Sequence, residues 1–589
     1  MTSPRTWFPL TGAVRPYRGA AAALPRKIGA VDPLTGPKQA LAGRVVTMDE
    51  AFTVRADGIV YADKGRIVAV RDRAQAAPAG FEAVRVVETG GTLFPGLIEL
   101  HNHLSYNALP LWAPVPKRFE HRGQWPDHKD YRPMISGPMT VIGEHRDASG
   151  LPALLPALVR YVECKCLLGG VTTSQGIMLA SNSGIRRFYR GIVRNVEQTD
   201  DPELPEAQGR IADVDARDAR RFLTQLGRED SCLLLHLSEG VTDPGRAESV
   251  ARQHFRALEV APAEWALREV FTGIHAAGLL PEDFDVLARH HGSMVWSPLS
   301  NLLLYGGTAR VDAARAAGVG IGLGSDWSPT GSKNLLGELK VAWLYSQHAL
   351  DGLFSARDLA AMATRDAARI LKWGEALGTI EAGKRADLLA IAGTTGDPYD
   401  ALIRAKETDI RLVMVNGIAR YGVPALMAGL VPEDQTVRVG GESRRLYTKQ
   451  ESADPDVASV SLRAATATLR DALRDIARLA KDAETPKPAA PRRRALDAPA
   501  PPVWSLALDE IQDRGVDLRP RLPFRGPGDF TGPERVVRGV TRASQPLSKI
   551  LKPIRLDPLT VADDEAFLNA IEQQPNVPPP IRNGLRGLY

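Results

Sequence analysis

Four short apolar runs in this chain each stop on an ionisable side chain. Leu97-Ile98-Glu99-Leu100 leads into His101-Asn102-His103, Leu233-Leu234-Leu235 into His236, Val270-Phe271-Thr272-Gly273-Ile274 into His275, and Val319-Gly320-Ile321-Gly322-Leu323-Gly324-Ser325 into Asp326. Short apolar runs bounded by glycine or polar residues read as buried strands. Longer mixed stretches of Ala, Leu, Arg and Glu lie between them, such as 213–226 and 311–317, and read as helices. Strands alternating with helices imply a parallel sheet, open or closed. Strand ends are expected near His101, Ser174, Asn195, His236, His275, Ser297 and Asp326, and a further strand is sought between Gln175 and Cys232.

Singly, each of these residues has a plain explanation: a lone histidine is usually a hydrogen-bonded core residue, and an aspartate after a strand usually caps a helix. His101 and His103 are harder to dismiss. Alternate residues of a strand face the same side, so both imidazoles project together and can grip one cation. Buried imidazoles without partners cost free energy. All the ionisable groups fall at the C-terminal ends of expected parallel strands, where barrel enzymes build their sites. Glu239 follows His236 by three residues. It reads either as a proton-transfer group or as a surface carboxylate.

The flanks differ from this centre. Residues 42–90 and again 378–421 alternate β-branched with polar residues around Asp-Gly and Lys-Gly steps, the pattern of antiparallel strands. Beyond 450, residues 460–480 place Leu462, Leu469, Leu473 and Ile476 on one helical stripe. A Pro/Ala/Arg linker follows at 485–502, then a proline-rich tail with one expected helix at 562–571. This tail is expected to wrap the body. Residues 1–31 carry basic but no acidic groups and read as a loose extension. With a net charge of +5 on 589 residues and no aromatic-interleaved basic stripe, nucleic acid is not an expected partner. No run approaches the ~18 apolar residues of a membrane span, so no membrane partner is expected. Three cysteines, Cys164, Cys166 and Cys232, are too few for a disulfide framework and fit a reducing cytoplasm.

Six motifs in order make the chain resemble the amidohydrolase superfamily, in its mononuclear branch with guanine deaminase, cytosine deaminase and the triazine hydrolases. They are His101-x-His103 after Pro95-Gly96, His236-x-x-Glu239, His275, Ser297-Pro298-x-Ser300-Asn301, Gly324-Ser325-Asp326, and Gly383-Lys384-Arg385-Ala386-Asp387-Leu388. The resemblance spans about 42–430. It implies an α/β fold, a (β/α)8 TIM-like barrel at 93–372. A small β-sandwich would be built from 42–92 and 373–440, with extensions at 1–41 and 441–589. It also implies one divalent cation, Zn2+ or Fe2+, on His101, His103, His236 and Asp326. That cation would activate hydroxide, with Asp326 taking the water's proton, His275 orienting the hydroxide and Glu239 protonating the leaving nitrogen. Lys165, ahead of Val171, reads as a packing lysine rather than a bridge between two metals, and Asn301 as a backbone-bonding residue of its loop.

The long segment 104–143 holds Trp112, Arg118, Arg122 and Trp125 and reads equally as a substrate lid or as a packing loop. Tyr305 and Trp327 are further candidates for the pocket. The expected activity is hydrolysis of a non-peptide carbon–nitrogen bond in a small molecule, with deamination of a heterocycle favoured over hydrolysis of a linear or cyclic amide. A non-catalytic barrel acting as a scaffold is the rival reading. Relatives of this kind are often dimers, so a homodimer is left open.

Overall fold

The computed structural model describes residues 37–485 other than 114, 116, 148–152, 182–185, 190, 200, 211–213, 215, 229, 242–248 and 451–453, and beyond these 504–508, 535–537, 540–542 and 545–589. The N-terminal stretch 1–31 and most of the Pro/Ala/Arg linker therefore lie outside the described residues.

Strands from both flanks pair into one nine-stranded sheet. It joins Gln39–Val46, Val54–Asp63, Arg66–Asp72 and Val86–Pro95 to Leu388–Ala392, Ile410–Val415, Ile418–Gly422, Gln435–Val439 and Glu442–Leu446. The seam is the antiparallel pairing of Val86–Pro95 with Leu388–Ala392. Gly91 allows this approach: a Cβ there would lie 2.2 Å from the Ile391 carbonyl oxygen. Leu41, Val45, Val60, Leu93, Leu388, Ala390, Leu412 and Met414 form a separate apolar core in this part of the molecule.

Eight short strands run through the centre: β1 (Leu97–Ile98), β2 (Val171–Ser174), β3 (Arg194–Asn195), β4 (Gln208–Arg210), β5 (Leu233–Leu237), β6 (Phe271–His275), β7 (Ser293–Trp296) and β8 (Gly320–Leu323). β1, β2 and β3 pair in parallel, as do β4 to β8 in sequence order. The two groups also meet at their borders. Ala207 N donates to Val196 O at 2.8 Å between β3 and β4. Leu100 N donates to Leu323 O, Asp326 N to His101 O and His103 N to Asp326 O between the ends of β8 and β1. β5 is buried along its whole length, as expected for a strand of a parallel sheet covered on both faces. β4 is the strand that periodicity left unplaced. Its residues, Gln-Gly-Arg, carry no apolar signal at all.

The helix at 311–317 forms as Val311–Ala317, while the stretch 213–226 contributes a shorter helix, Ala219–Leu226. The stripe at 460–480 is two helices, Leu462–Arg474 and Ile476–Glu484, broken at Asp475. Leu462, Leu469, Leu473 and Ile476 are nonetheless all buried. The tail helix forms at Glu565–Glu572, and a further one follows at Pro579–Gly587. The tail's Leu547, Phe567, Val577, Ile581 and Leu585 share one apolar core with Leu155, Leu158 and Leu336 of the central region. No helix among the described residues is long and apolar enough to cross a membrane.

Candidate active site

His101 and His103 follow β1, His236 lies in β5, His275 ends β6 and Asp326 follows β8, so five side chains from four strands converge on one end of the parallel array. The His101 ring lies 4.9 Å from that of His103, 4.7 Å from His236 and 5.0 Å from His275, centroid to centroid. His101 Nε2 is 3.2 Å and His103 Nε2 3.5 Å from Asp326 Oδ1, and His236 Nε2 is 3.3 Å from His103 Nε2. Two overlapping sets have donor atoms all within 4.8 Å of one another: His101, His236 and His275, and His101, His103 and Asp326. The turn residues are held tightly. Ser238, His275, Ala276 and Asp326 all adopt positive φ, from 48° to 68°, a region non-glycine residues seldom occupy and one that collects at functional sites.

The hydrogen bonds fix two different tautomers. Gln175 places its Oε1 2.9 Å from Asn102 N and 3.3 Å from His101 Nδ1. The Asn102 N–H can only donate, so the shared atom is an acceptor and the His101 proton sits on Nδ1. Its Nε2 then carries a bare lone pair, and this buried atom has no hydrogen-bond partner among the described residues. At His275 the order reverses. The Trp296 indole N–H donates to Thr308 Oγ1 (2.8 Å), which donates to Asn301 Oδ1 (3.1 Å), leaving the Asn301 amide N–H to donate to His275 Nδ1 (3.0 Å). His275 therefore carries its proton on Nε2, 3.8 Å from Glu239 Oε2. Asn301 thus bonds a site imidazole through its side chain, not merely loop backbone.

Electrostatics follow from burial. His101 is pushed below its ordinary value, and His236 and His275 well below theirs, chiefly by desolvation, so all three are neutral near pH 7. Burial alone would raise the Asp326 carboxyl; only imidazolium forms of His101, and then of His103 and His275, would hold it below the usual range. Ser300 Oγ donates to Asp326 Oδ2 at 2.6 Å, leaving Oδ1 to the imidazoles. Burial pushes Glu239 up to about 7, against the pull of Arg122, and Tyr305 OH donates to its Oε1 at 2.7 Å. A buried imidazole lone pair beside a carboxylate, with two more histidines in reach, is the donor chemistry of a divalent cation site, and the orphaned His101 Nε2 fits the same group.

The residues read as pocket candidates divide. Tyr305 touches Glu239, the Trp327 ring lies 5.9 Å from His103, and Trp125 donates to Tyr305 OH and packs on Trp327 at 5.7 Å. Arg122 N donates to the Glu239 carbonyl at 3.1 Å. Trp112 sits a layer back, against Phe119, His128 and Tyr131. Arg118 lies beside Gly306. A cavity of about 50 Å³ beside His103 and His236 is lined also by Gln175, Phe188, Glu197 and Ala507. Gln175, Ser300 and the Glu99–Ser325 pair, in which Ser325 Oγ donates to Glu99 Oε2 at 2.6 Å, were not singled out from the sequence for these contacts. Gln175 had a signal, a polar residue directly after the β2 strand. Lys165 is far from the imidazoles in role: its ammonium is bound to Asp557 of the tail.

The arrangement defines a class: an α/β protein with a buried, histidine-rich centre able to hold a metal at the ends of parallel strands. Residues 246–419 match the Amidohydrolase family. The 5-methylthioadenosine/S-adenosylhomocysteine deaminase of Moorella thermoacetica is 26% identical over 399 residues, 62% of this chain and 90% of that protein. The same enzyme of Nitratidesulfovibrio vulgaris is 26% identical over 425 residues, 64% of this chain and 90% of that protein. An adenosine deaminase from Xanthomonas campestris, solved with bound zinc, matches with a TM-score of 0.50 at 19% identity, over 68% of this chain and 95% of that one. A triazine hydrolase variant matches with a TM-score of 0.50 at 22% identity, over 65% and 94%. The chain thus carries an amidohydrolase domain over part of its length and is similar to deaminases, which are hydrolases of carbon–nitrogen bonds other than peptide bonds.

Proposed function

We propose that this protein is a mononuclear metal-dependent aminohydrolase that removes an exocyclic amine from a heteroaromatic small molecule of the purine-nucleoside kind. The observation that carries the reading is the convergence of His101, His103, His236 and Asp326, with Glu239 and His275 beside them. The eight central strands are read as one closed (β/α)8 barrel, supported by the bonds at both borders. The domain division is read as a composite β-domain at 42–92 and 373–440 around a barrel at 93–372, with 441–589 as an added extension.

His101, His103, His236 and Asp326 would hold one Zn2+ or Fe2+. The His275 tautomer favours this set over one containing His275, because that ring turns an N–H inward where a ligand needs a lone pair. Such a cation lowers the pKa of a water from ~15.7 towards about 7. Asp326, ionised and steered by Ser300, accepts the attacking water's proton. The His275 Nε2–H donates to the incoming oxygen and holds it in line. Glu239 gives a proton to the departing nitrogen, and its pKa near 7 suits it to hold or release one at neutral pH. Water oxygen bonds to the ring carbon, the carbon–nitrogen bond breaks, and ammonia leaves. Trp125, Tyr305 and Trp327 form an aromatic wall for a planar ring, with Arg122 and Trp112 behind it and Arg118 at the rim.

The full-length protein loaded with Zn2+ and offered 5′-methylthioadenosine, S-adenosylhomocysteine, adenosine, guanine and amino-triazines is expected to release ammonia from at least one. Cleavage of N-acyl or cyclic amide compounds without ammonia from any amino-heterocycle would replace this reading with amide hydrolysis. Failure to bind Zn2+ or Fe2+ at all would favour a scaffold.

A further inference from the structure

The chain runs well past the stretch that matches the family, which ends at 419, and the tail enters the interior at one point. Asp557 is 1% exposed and accepts from two buried lysines, Lys165 (2.5 Å) and Lys333. Lys333 also pairs with Asp564 at 2.9 Å. The backbone is tied in as well: Asp557 N donates to Ala108 O at 2.9 Å, and Tyr161 OH donates to Asp557 O at 2.5 Å.

From Lys165 a continuous line of hydrogen bonds runs to the metal-binding strand ends. Its ammonium donates to Ser328 Oγ (2.7 Å) and to the Asn107 carbonyl (3.0 Å). Asn107 Oδ1 accepts from Ser328 N (2.9 Å), and Asn107 Nδ2 donates to Asn102 Oδ1 (2.9 Å). Asn102 Nδ2 donates to Ser325 Oγ (3.1 Å). Asn102 stands between His101 and His103, Ser325 precedes Asp326, and Ser328 follows it by two residues. Every link is buried. Without Asp557 the Lys165 ammonium would be an uncompensated charge in the interior, with Lys333 left to Asp564, and breaking a buried pair is strongly unfavourable. The loops bearing Asn107 and Ser328 would have to move to let water reach them.

We infer that Asp557 is a positioning residue for the cation site: the C-terminal extension clamps the loop after β1 to the loop after β8, and so sets how closely His103 and Asp326 approach. The inference rests on the reading of these residues as metal ligands. It also assigns a role to a segment outside the shared family region.

The test uses the full-length protein. Asp557→Asn is expected to weaken Zn2+ affinity at least tenfold in chelator competition while unfolding stays cooperative, and Asp557→Glu to recover most of the loss. In the metal-free protein, Asp557→Asn should speed amide hydrogen exchange across 102–109 and 325–334 but not in Ile410–Val415. If Asp557→Asn fails to fold, Asn107→Ala and Ser328→Ala interrupt the same line without stranding a charge, and each should weaken Zn2+ at least threefold. Zn2+ affinity within twofold of wild type, with exchange unchanged, overturns the inference. Should wild type bind no Zn2+, the ligand reading fails by itself; faster exchange in both loops would then still uphold the clamp, and unchanged exchange would overturn it.

Discussion

The histidine–carboxylate centre and the lysine–aspartate centre are both sealed from water, yet they meet the cost of burial in opposite ways. Buried Lys165 and Lys333 face Asp557 and Asp564, with the half-exposed Arg555 also on Asp564 and the remaining Lys165 donors on Ser328 and the Asn107 carbonyl. The group closes on itself. At the other centre, the neutral His101 directs its lone pair at an ionised Asp326, and His103 and His236 bring their Nε2 atoms to 3.3 Å. A lone pair turned on a carboxylate suits a positive ion between them. A cluster that balances its own charge needs nothing from outside; one that gathers lone pairs is built for a cation.

The most severe way to break this contrast is to remove a ligand. His236→Ala is expected to abolish stoichiometric Zn2+ by metal analysis and, with it, detectable turnover. In wild type, Zn2+ at a hundredfold over its Kd should stabilise the fold by about 2.7 kcal/mol, and this increment should vanish in His236→Ala. Retention of the increment would mean the cation sits elsewhere.

Glu239→Gln separates binding from chemistry. It should keep Zn2+ at wild-type stoichiometry yet lose on the order of 10²- to 10⁴-fold in kcat, the usual worth of a positioned proton donor. Full turnover would remove Glu239 from the reaction.

Lys165→Met probes the self-balanced centre. Stripping one partner from a buried pair is expected to cost about 3–5 kcal/mol in denaturant unfolding. The stabilisation gained from added Zn2+ should persist in Lys165→Met, reduced but measurable, whereas it disappears in His236→Ala.

Asn301→Ala has a smaller effect. Without the amide N–H on Nδ1, His275 is free to take the other tautomer, and loss of such supporting partners typically costs about 10–100-fold. Zn2+ stoichiometry should be unchanged, and kcat should fall more than KM rises.

How much of this was legible from sequence depended on range. The strand ends were readable because a buried strand needs an unbroken apolar run, and the residue that stops it stands out: Leu233-Leu234-Leu235 makes His236 conspicuous. The i, i+2 spacing of His101 and His103 gave their shared direction. β4 was hidden because Gln208-Gly209-Arg210 has no apolar residue; its parallel neighbours, not its composition, make it a strand. Asn301 was visible in its motif, but its role required knowing that Thr308 and Trp296 fix its amide. The lysine–aspartate centre was invisible, since Lys165 and Asp557 lie 392 positions apart and neither has a local pattern.

The smallest effect tests a third way of burying charge. Glu338 lies fully buried between Leu299 N, which donates to its Oε1 at 3.0 Å, and the hydroxyl of Ser332. No cation pairs with it among the described residues, and burial pushes its carboxyl from 4.5 up to about 8. The folded protein therefore keeps a proton there that the unfolded chain gives up above pH 4.5. Its contribution is complete below that value and is lost as pH rises through about 8, so stability should fall with pH across this window. Glu338→Gln keeps the side chain neutral at every pH. The difference in unfolding free energy between wild type and Glu338→Gln should slope by up to about 1.4 kcal/mol per pH unit between pH 5 and 8. A flat difference would mean that Glu338 is ionised in the folded state and draws on a cation, which would move it into the company of Asp557.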